Sequence, residues 1–323
     1  MCTAISFNSK THLFGRSLDL EKVSKEEVTV TPRRFPLYSR HLEPLEEHYA
    51  IIGMATVIDD YPLYYDATNE YGLSMAGLNF VGNAIYLPPD SEKTNVAPFE
   101  FVPFVLSRCK DLKEARSLLK CLNLTDEPFS AELPLSPLHF IISDSTGSIV
   151  VEPMAYGIEI YDNPVGVLTN NPPFPYHLYN LSGYQSLSPE PPEAKITKRL
   201  TLPVYSNGMG AIGLPGDYSS ASRFVKASFV LHNARKPTEY GEEIEQFFHV
   251  LESVYQVEGC VITKAGLERT QYVSCVDTKR GIYYYKTYYN SGISAVSLRK
   301  EDLDGSSLYS YPLLLSHKIE HQN

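Results

Sequence analysis

The residue with the clearest chemical potential is Cys2, which directly follows Met1. A penultimate residue as small as cysteine lets methionine aminopeptidase remove the initiator, so we expect the mature chain to begin with Cys2. That residue then carries a free α-amine and a thiol, whose ordinary pKa values differ by less than about one pH unit. The amine can therefore take the proton of the thiol, and one residue supplies both a nucleophile and its base. The alternative is that Cys2 is simply a small buried residue in a first strand.

Two charged side chains are expected near Cys2. Strand-like runs at 2–7 and 13–20, joined by a polar turn, predict a hairpin whose return strand carries Arg16 and Asp19. A cation beside a thiol lowers the thiol pKa, and a carboxylate can hold and orient an ammonium. Residues three apart face opposite sides of a regular strand, so both reach one centre only if the strand bends, bulges or ends there. The alternative is an exposed Arg–Asp pair, which contributes little.

Other motifs give weaker signals. The GxGxxG run at 208–213 is followed at once by the turn residues 214–217, which predicts a loop and not a dinucleotide site. His139 stands in an apolar strand, where a hydrogen-bonded core histidine is expected more than a ligand. The five cysteines form no CxxC pair and no Cys/His cluster with zinc spacing. We therefore expect no metal site.

The order of predicted elements indicates the fold class. Strands, a helix pair, strands, a second helix pair and strands follow one another, which suits two antiparallel sheets between two helical layers. We predict an α+β fold, an αββα four-layer sandwich, as a single domain over 1–323; the pattern alone leaves other α+β arrangements open. The predicted helices are 99–109, 112–122, 220–234 (capped by Ser219 or Ser220) and 242–257. The predicted strands are 2–7, 13–20, 49–57, 61–67, 73–80, 138–142, 148–152, 165–169, 271–276, 281–288 and 293–298.

The composition excludes several classes of function. A net charge of −10 argues against nucleic-acid binding, which depends on Lys and Arg at the phosphates. The longest mainly apolar run, 50–58, is far shorter than the ~18–20 residues of a membrane span. An odd number of cysteines without a signal peptide predicts reduced thiols and a cytoplasmic protein.

Eight short segments, spread along the whole chain, match the pattern of a known family: Met1–Ile5, Phe14–Arg16, Leu18–Asp19, Gly77–Phe80, Val167–Pro172, Gly213–Asp217, Ser222–Phe224 and Gly281–Tyr285. They resemble the choloylglycine hydrolases, a family of N-terminal nucleophile hydrolases that includes bile salt hydrolases and penicillin V acylases. The chain departs from the family pattern at Ser17, where Asn or Thr is frequent, and at 101–104 and 138–140, where Trp is frequent.

The resemblance implies roles for individual residues. Cys2 is implied as the nucleophile, with its own amine as the general base. Arg16 is implied beside the thiolate, and Asp19 holds the amine. Asn170 stabilises the tetrahedral oxyanion, and Asn79 supplies a second donor nearby. Loss of one such oxyanion donor typically costs about 10²–10³ in rate.

The resemblance further implies that Arg223 completes the charged cluster around Cys2, and it also bears on the substrate. Asn79 is typical of the bile salt branch, whereas the penicillin branch tends to carry Tyr there, so conjugated bile salts with glycine or taurine are favoured. A steroid needs a mainly apolar pocket. The family positions expected to line it, each of which is equally explained by core packing, are Leu18, Ile58, Phe129 and Leu133.

The implied reaction is amide hydrolysis, which needs no cofactor, and the resemblance suggests a homotetramer. Penicillin V acylase or another N-acyl amide hydrolase remains an alternative. Class II glutamine amidotransferases also begin with Cys, but they need a synthetase domain or partner for which this chain leaves little room. A binding or structural protein would leave Arg16, Asp19 and Asn170 unexplained.

Overall fold

The computed structural model describes residues 1–22, 25–193, 196–197, 199–317 and 319–323. The five α-helices of these residues are α1 (Phe101–Leu106), α2 (Leu112–Leu119), α3 (Phe174–Ser182), α4 (Ser220–Asn233) and α5 (Glu242–Glu252). The strands are β1 (Cys2–Asn8), β2 (His12–Leu20), β3 (Glu27–Thr31), β4 (Ile51–Ile58), β5 (Tyr61–Asn69), β6 (Ser74–Asn79), β7 (Thr94–Val96), β8 (Leu122–Leu124), β9 (Leu138–Asp144), β10 (Gly147–Met154), β11 (Gly157–Asp162), β12 (Val167–Leu168), β13 (Val261–Thr263), β14 (Gly266–Asp277), β15 (Ile282–Thr287), β16 (Asn290–Ser297) and β17 (Tyr309–Pro312).

The first large sheet carries Cys2. Its hydrogen-bonded order is β12-β1-β2-β14-β15-β16, with β13 paired to β14, and all its pairs are antiparallel. The β1–β2 hairpin places Cys2 opposite Leu18 and Ala4 opposite Arg16. The hairpin predicted from the sequence is therefore confirmed, and Cys2 stands at its open end.

The second large sheet has the order β11-β10-β9-β6-β5-β4-β3-β17 and is also antiparallel. Helices α1 and α2 pack on it, whereas α4 and α5 pack on β1, β2, β12 and β14 of the first sheet. The predicted αββα arrangement is confirmed. We call the side of the first sheet that faces the second sheet its inner face, and the opposite side its helix face.

The core lies in two clusters of buried side chains. One cluster joins the inner faces of both sheets and the helices α4 and α5, and the other lies between the second sheet and α1–α2. Tyr272 of β14 reaches from the inner face to Asp66 of β5, with 2.7 Å from its hydroxyl to Oδ1. Thr3 points to the helix face, where it accepts a hydrogen bond from Arg223 of α4. Both faces of β1 and β2 are thus covered, and any charge there is removed from solvent.

Several element boundaries differ from the sequence prediction. Strands β3, β7, β8, β11, β13 and β17 and helix α3 were not predicted. The predicted helix 112–122 ends at Leu119, and Leu122–Leu124 instead pairs in parallel with β7. The apolar residues of this segment fit both a helical and a strand pattern, and pairing with a neighbouring strand decides between the two. Ser219 caps α4, with its Oγ accepting from the Ser222 N–H at 3.4 Å.

Candidate active site

Cys2 opens β1 and is 3% exposed. Because it stands directly opposite Leu18, the two side chains share the inner face. Its backbone N–H points away from β2 and donates to Oδ1 of Asn170 at 2.8 Å. The thiol and the nitrogen of one residue therefore lie in two different surroundings, one between the sheets and one beside the loop that follows β12.

Arg16 lies two residues along the same face and is 1% exposed. Its Nη1 donates to the carbonyl oxygens of Tyr65 at 3.1 Å and Gly77 at 2.5 Å on the second sheet. Its Nη2 is buried and has no partner within the described residues. Burial by itself would lower the pKa of Arg16, but negative partners, Cys2 first among them, raise it on balance. Arg16 is thus a buried, permanently charged cation on the face that carries the Cys2 thiol.

Asp19 lies on the opposite face of β2 and is fully buried. Its Oδ1 accepts from Thr270 Oγ1 at 2.7 Å and its Oδ2 from Ser17 Oγ at 3.3 Å. The irregularity expected here exists, but it belongs to β14, whose register shifts between Thr270 and Tyr272, and not to β2. Arg16 and Asp19 therefore flank the start of β1 from the inner face and the helix face respectively.

Arg223 links the helix layer to the beginning of the chain. It lies on α4, is 1% exposed, and its Nη1 donates to the Cys2 carbonyl at 2.5 Å and to Thr3 Oγ1 at 2.6 Å. Its Nη2 donates to Asn170 Oδ1 at 2.7 Å. Burial lowers the pKa of Arg223, and Asp19 and Cys2 oppose that change. The planar guanidinium thus fixes Cys2 and Asn170 relative to each other.

Asn170 receives two hydrogen bonds at Oδ1, from the Cys2 N–H and from Arg223. Its Nδ2 must then be the donor end, and it donates to the carbonyl of Asn79 at 2.8 Å. An amide nitrogen has two hydrogens, so one remains available. The side-chain amide of Asn79 has no hydrogen-bond partner within the described residues. One amide hydrogen of Asn170 is therefore free, on the residue whose Oδ1 binds the Cys2 nitrogen.

Two buried histidines hold the loop that carries Asn170. His139 Nε2 lies 2.8 Å from the Thr169 carbonyl, and His177 Nε2 lies 2.8 Å from the Asn170 carbonyl. Burial lowers the pKa of His177 to about 4. Since a carbonyl only accepts, each Nε2 is the donor. His139 is the hydrogen-bonded core residue that its sequence context predicts, whereas nothing in the sequence singles out His177.

The four candidate substrate-binding residues are placed differently. Leu18 adjoins Cys2, whereas Ile58, Phe129 and Leu133 are half-buried on other segments. Ile58 pairs with Tyr61, and the Phe129 ring lies 5.9 Å from the Tyr61 ring. Ile58 and Phe129 thus share an aromatic neighbour.

The run at 208–213 forms a loop with one short 3₁₀ turn, as its sequence predicts. No group of three or more His, Cys, Asp or Glu within the described ranges is arranged to hold a metal ion. No helix in that same part of the chain is long and apolar enough to cross a membrane.

Residues 2–311 match the family described as linear amide C–N hydrolases, choloylglycine hydrolase family. A "Bile salt hydrolase/transferase" of Lactiplantibacillus plantarum is 50% identical over 315 residues, which is 97% of each chain. A crystal structure of a mutant conjugated bile acid hydrolase from Clostridium perfringens superimposes with a TM-score of 0.91, at 38% identity and with 100% of both chains covered. Penicillin V acylase from Agrobacterium tumefaciens reaches 0.75 at 21% identity, with 96% of this chain and 90% of that one covered, a likeness of fold alone.

A cysteine directly after Met1, at the open end of a β-hairpin within two antiparallel sheets between helical layers, is the arrangement of an N-terminal nucleophile hydrolase. Within that class the chain belongs to the choloylglycine hydrolase family of linear amide C–N hydrolases. It is an amide-hydrolysing enzyme.

Proposed function

We propose that this enzyme hydrolyses the amide bond between a bile acid and glycine or taurine, with Cys2 as the nucleophile. The supporting observation is the hydrogen-bonded unit of Cys2, Asn170 and Arg223, in a chain 50% identical to a bile salt hydrolase/transferase. The unit brings the residue that carries the thiol, its backbone nitrogen, a cation and an amide donor together at a buried site.

The proposed mechanism begins with removal of Met1. In the described chain the Cys2 nitrogen is an amide that donates to Asn170 Oδ1. Removal of Met1 turns this nitrogen into an amine that Asn170 still orients. The amine takes the proton of the thiol, and the cations Arg16 and Arg223 stabilise the resulting thiolate. Asp19 lies close enough to stabilise the ammonium electrostatically.

The thiolate then attacks the amide carbonyl carbon, and the carbonyl electron pair moves to oxygen. The free hydrogen of Asn170 Nδ2 and the side chain of Asn79 donate to this oxyanion. As the carbonyl re-forms, the C–N bond breaks and the leaving glycine or taurine nitrogen takes the proton from the Cys2 ammonium. Water attacks the thioester with the Cys2 amine as base, and bile acid and thiol are released.

The steroid part of the substrate needs apolar surface. We assign Leu18, Ile58, Phe129 and Leu133 to this surface. Leu18 lies beside the nucleophile, where the first carbons of the acyl group must lie. The other three are half-buried and therefore accessible to a ligand.

A second reaction of the same intermediate is supported by the Lactiplantibacillus plantarum relative, which is a bile salt hydrolase/transferase. An amine that replaces water at the thioester forms a new amide, and the thiol regains its proton from the attacking nitrogen through the Cys2 amine. No further group is required.

We also propose that the described elements belong to one domain, because one core cluster joins both large sheets. A cytoplasmic location is supported by five free cysteines. A homotetramer is supported by the family resemblance and by exposed apolar side chains on 196–212, among them Ile196, Tyr205 and Ile212.

The test is release of glycine or taurine from glycocholate and taurocholate by the untagged protein, with intact mass confirming Cys2 as the first residue. We expect cleavage of the bile salts, little cleavage of penicillin V, and loss of about 10³-fold or more in Cys2→Ser. Near-full activity of Cys2→Ser contradicts the mechanism. Cleavage of penicillin V without cleavage of either bile salt contradicts the proposed substrate.

A further inference from the structure

A buried carboxylate outside the unit described above lies at the start of β1. Glu268 of β14 is 4% exposed, and its Oε2 accepts a hydrogen bond from the ammonium of Met1 at 2.9 Å. The backbone carbonyl of Asp19 accepts from the same ammonium at 2.6 Å. The Asp19 N–H donates to the Met1 carbonyl at 2.8 Å, so Met1 extends the β1–β2 pairing by one residue. The first nitrogen of the chain is thus held between a carboxylate and a carbonyl.

The Glu268 carboxylate can accept a further hydrogen bond. Its Oε1 is buried and has no partner within the described residues. A buried carboxylate is costly unless a cation or hydrogen bonds compensate it. Burial raises the pKa of Glu268 on balance, and the N-terminal ammonium opposes this rise through its charge and its hydrogen bond. The site is therefore matched to a cation at the beginning of the chain.

We propose that Glu268 is a positioning residue that, with the Asp19 carbonyl, forms an ammonium site for the first amine of the chain: that of Met1 before its removal and that of Cys2 afterwards. This inference rests on the removal of Met1 in the proposed function. One residue separates the two nitrogens, a distance under about 4 Å. The Cys2 amine therefore lies within about 7 Å of the Glu268 carboxylate, close enough for electrostatic stabilisation in a buried site and for a link through ordered water.

The site gives the two groups of Cys2 opposite electrostatic partners. Arg16 on the inner face and Arg223 from α4 favour the thiolate, whereas Glu268 favours the ammonium that forms when the amine takes the thiol proton. Without Glu268 the two arginines would also destabilise that ammonium. The charged groups that face this region from the surrounding strands and helix are Arg16, Asp19, Glu21, Asp66, Arg223 and Glu268.

The test is titration of the Cys2 amine by its ¹⁵N chemical shift in protein labelled with ¹⁵N-cysteine, after intact mass has confirmed removal of Met1. We expect Glu268→Gln to lower the titration midpoint by about one pH unit, because a nearby carboxylate favours the ammonium. Glu268→Asp keeps the charge and is expected to retain most of the wild-type midpoint. Glu258→Gln removes an exposed carboxylate that pairs with Arg269, and no change is expected. In the pH profile of kcat/KM for glycocholate, we expect the limb that reports titration of the Cys2 amine to shift with the midpoint of that amine.

An unchanged midpoint in Glu268→Gln overturns the proposal, as does an equal change in Glu258→Gln. Far-UV circular dichroism checks that each variant folds. If Glu268→Gln does not fold, Glu268→Asp and the Met1-bearing chain labelled with ¹⁵N-methionine provide the titration instead. Titration needs no substrate, so a shifted amine in a protein that cleaves no bile salt supports the ammonium site while contradicting the proposed function.

Discussion

At the scale of single residues, the site depends on donors that each serve more than one neighbour. Arg223 connects the Cys2 carbonyl, Thr3 Oγ1 and Asn170 Oδ1 through one rigid plane. Because Oδ1 of Asn170 is fully engaged, its Nδ2 has one orientation, towards the Asn79 carbonyl and the space beside Cys2. A side chain with the same charge but a different shape cannot make all of these hydrogen bonds.

We expect Arg223→Lys to lower kcat for glycocholate by about 10²-fold with little change in KM, because the amide of Asn170 loses its fixed orientation in the transition state. Steady-state kinetics of protein that begins with Cys2 measures both constants. Arg235→Lys is the control, since Arg235 is exposed and pairs with Glu242 at the surface. Activity of Arg223→Lys within twofold of wild type would show that charge alone suffices.

The sequence accounts for these residues unevenly. Cys2, Arg16 and Asp19 are predictable from chemistry and hairpin geometry, whereas Asn170 and Arg223 came only from the family resemblance. Neither approach finds His177 or Glu268, because a buried polar residue is recognised by its hydrogen-bond partners, and only the folded chain shows those partners.

At the scale of secondary structure elements, the close approach of β2 and β14 positions Arg16. Arg16 N–H donates to Ser274 Oγ at 3.1 Å across this pair. A Cβ on the preceding residue, Gly15, would lie 2.1 Å from the Ser274 carbonyl oxygen, a distance no real contact shows. Gly15 is therefore required by the spacing of the two strands.

We expect Gly15→Ala to lower the free energy of unfolding by about 2–3 kcal/mol, because the two strands must separate around the added methyl group. Urea unfolding at 25 °C, followed by circular dichroism, measures the change, and hydrolysis is expected to fall with it. Gly216→Ala is the matched control, since a Cβ there meets no atom within 4 Å. Equal stability of the two variants would contradict the strand-spacing argument.

The lengths of β2, β5 and α4 were predicted to within two residues, whereas β14 begins five residues before its predicted start. The short parallel pair β7–β8 and the helix α3 were missed. In a stretch of few residues, pairing with a distant strand or packing against α4 outweighs local preference.

At the scale of the whole molecule, buried histidines connect the layers and make stability depend on pH. His12 of β2 reaches across to Ser143 of β9, with 3.0 Å between Nε2 and Oγ, while His177 of α3 holds the Asn170 loop. Burial lowers the pKa of each to about 4, from an ordinary value of 6.5. The unfolded chain therefore binds protons that the folded chain does not between about pH 6.5 and 4.

Stability contributed by these two histidines is complete above pH 6.5 and is lost as the pH falls towards 4. From pH 7.5 to 5.0 we expect each histidine to account for a loss of about 2 kcal/mol in the free energy of unfolding. Urea unfolding at both pH values is the measurement. The double variant His12→Gln/His177→Gln should lose less stability over this range than wild type. The exposed-residue variant His321→Gln should behave as wild type, and a double variant with an unchanged pH dependence would rule out these two residues as the cause.

The sequence by itself determined the candidate nucleophile, the hairpin that carries it, the αββα order and the family, because these depend on chain position, local periodicity and runs of matching residues. Only the tertiary structure decided which face of β2 each charge occupies, that the irregularity lies in β14, and that Arg223 and Glu268 meet the first residues of the chain. Those contacts join segments more than 150 residues apart. Removing these polar groups from water costs free energy, and the hydrogen bonds among them, strengthened by the low local dielectric, offset that cost; no local pattern encodes this balance.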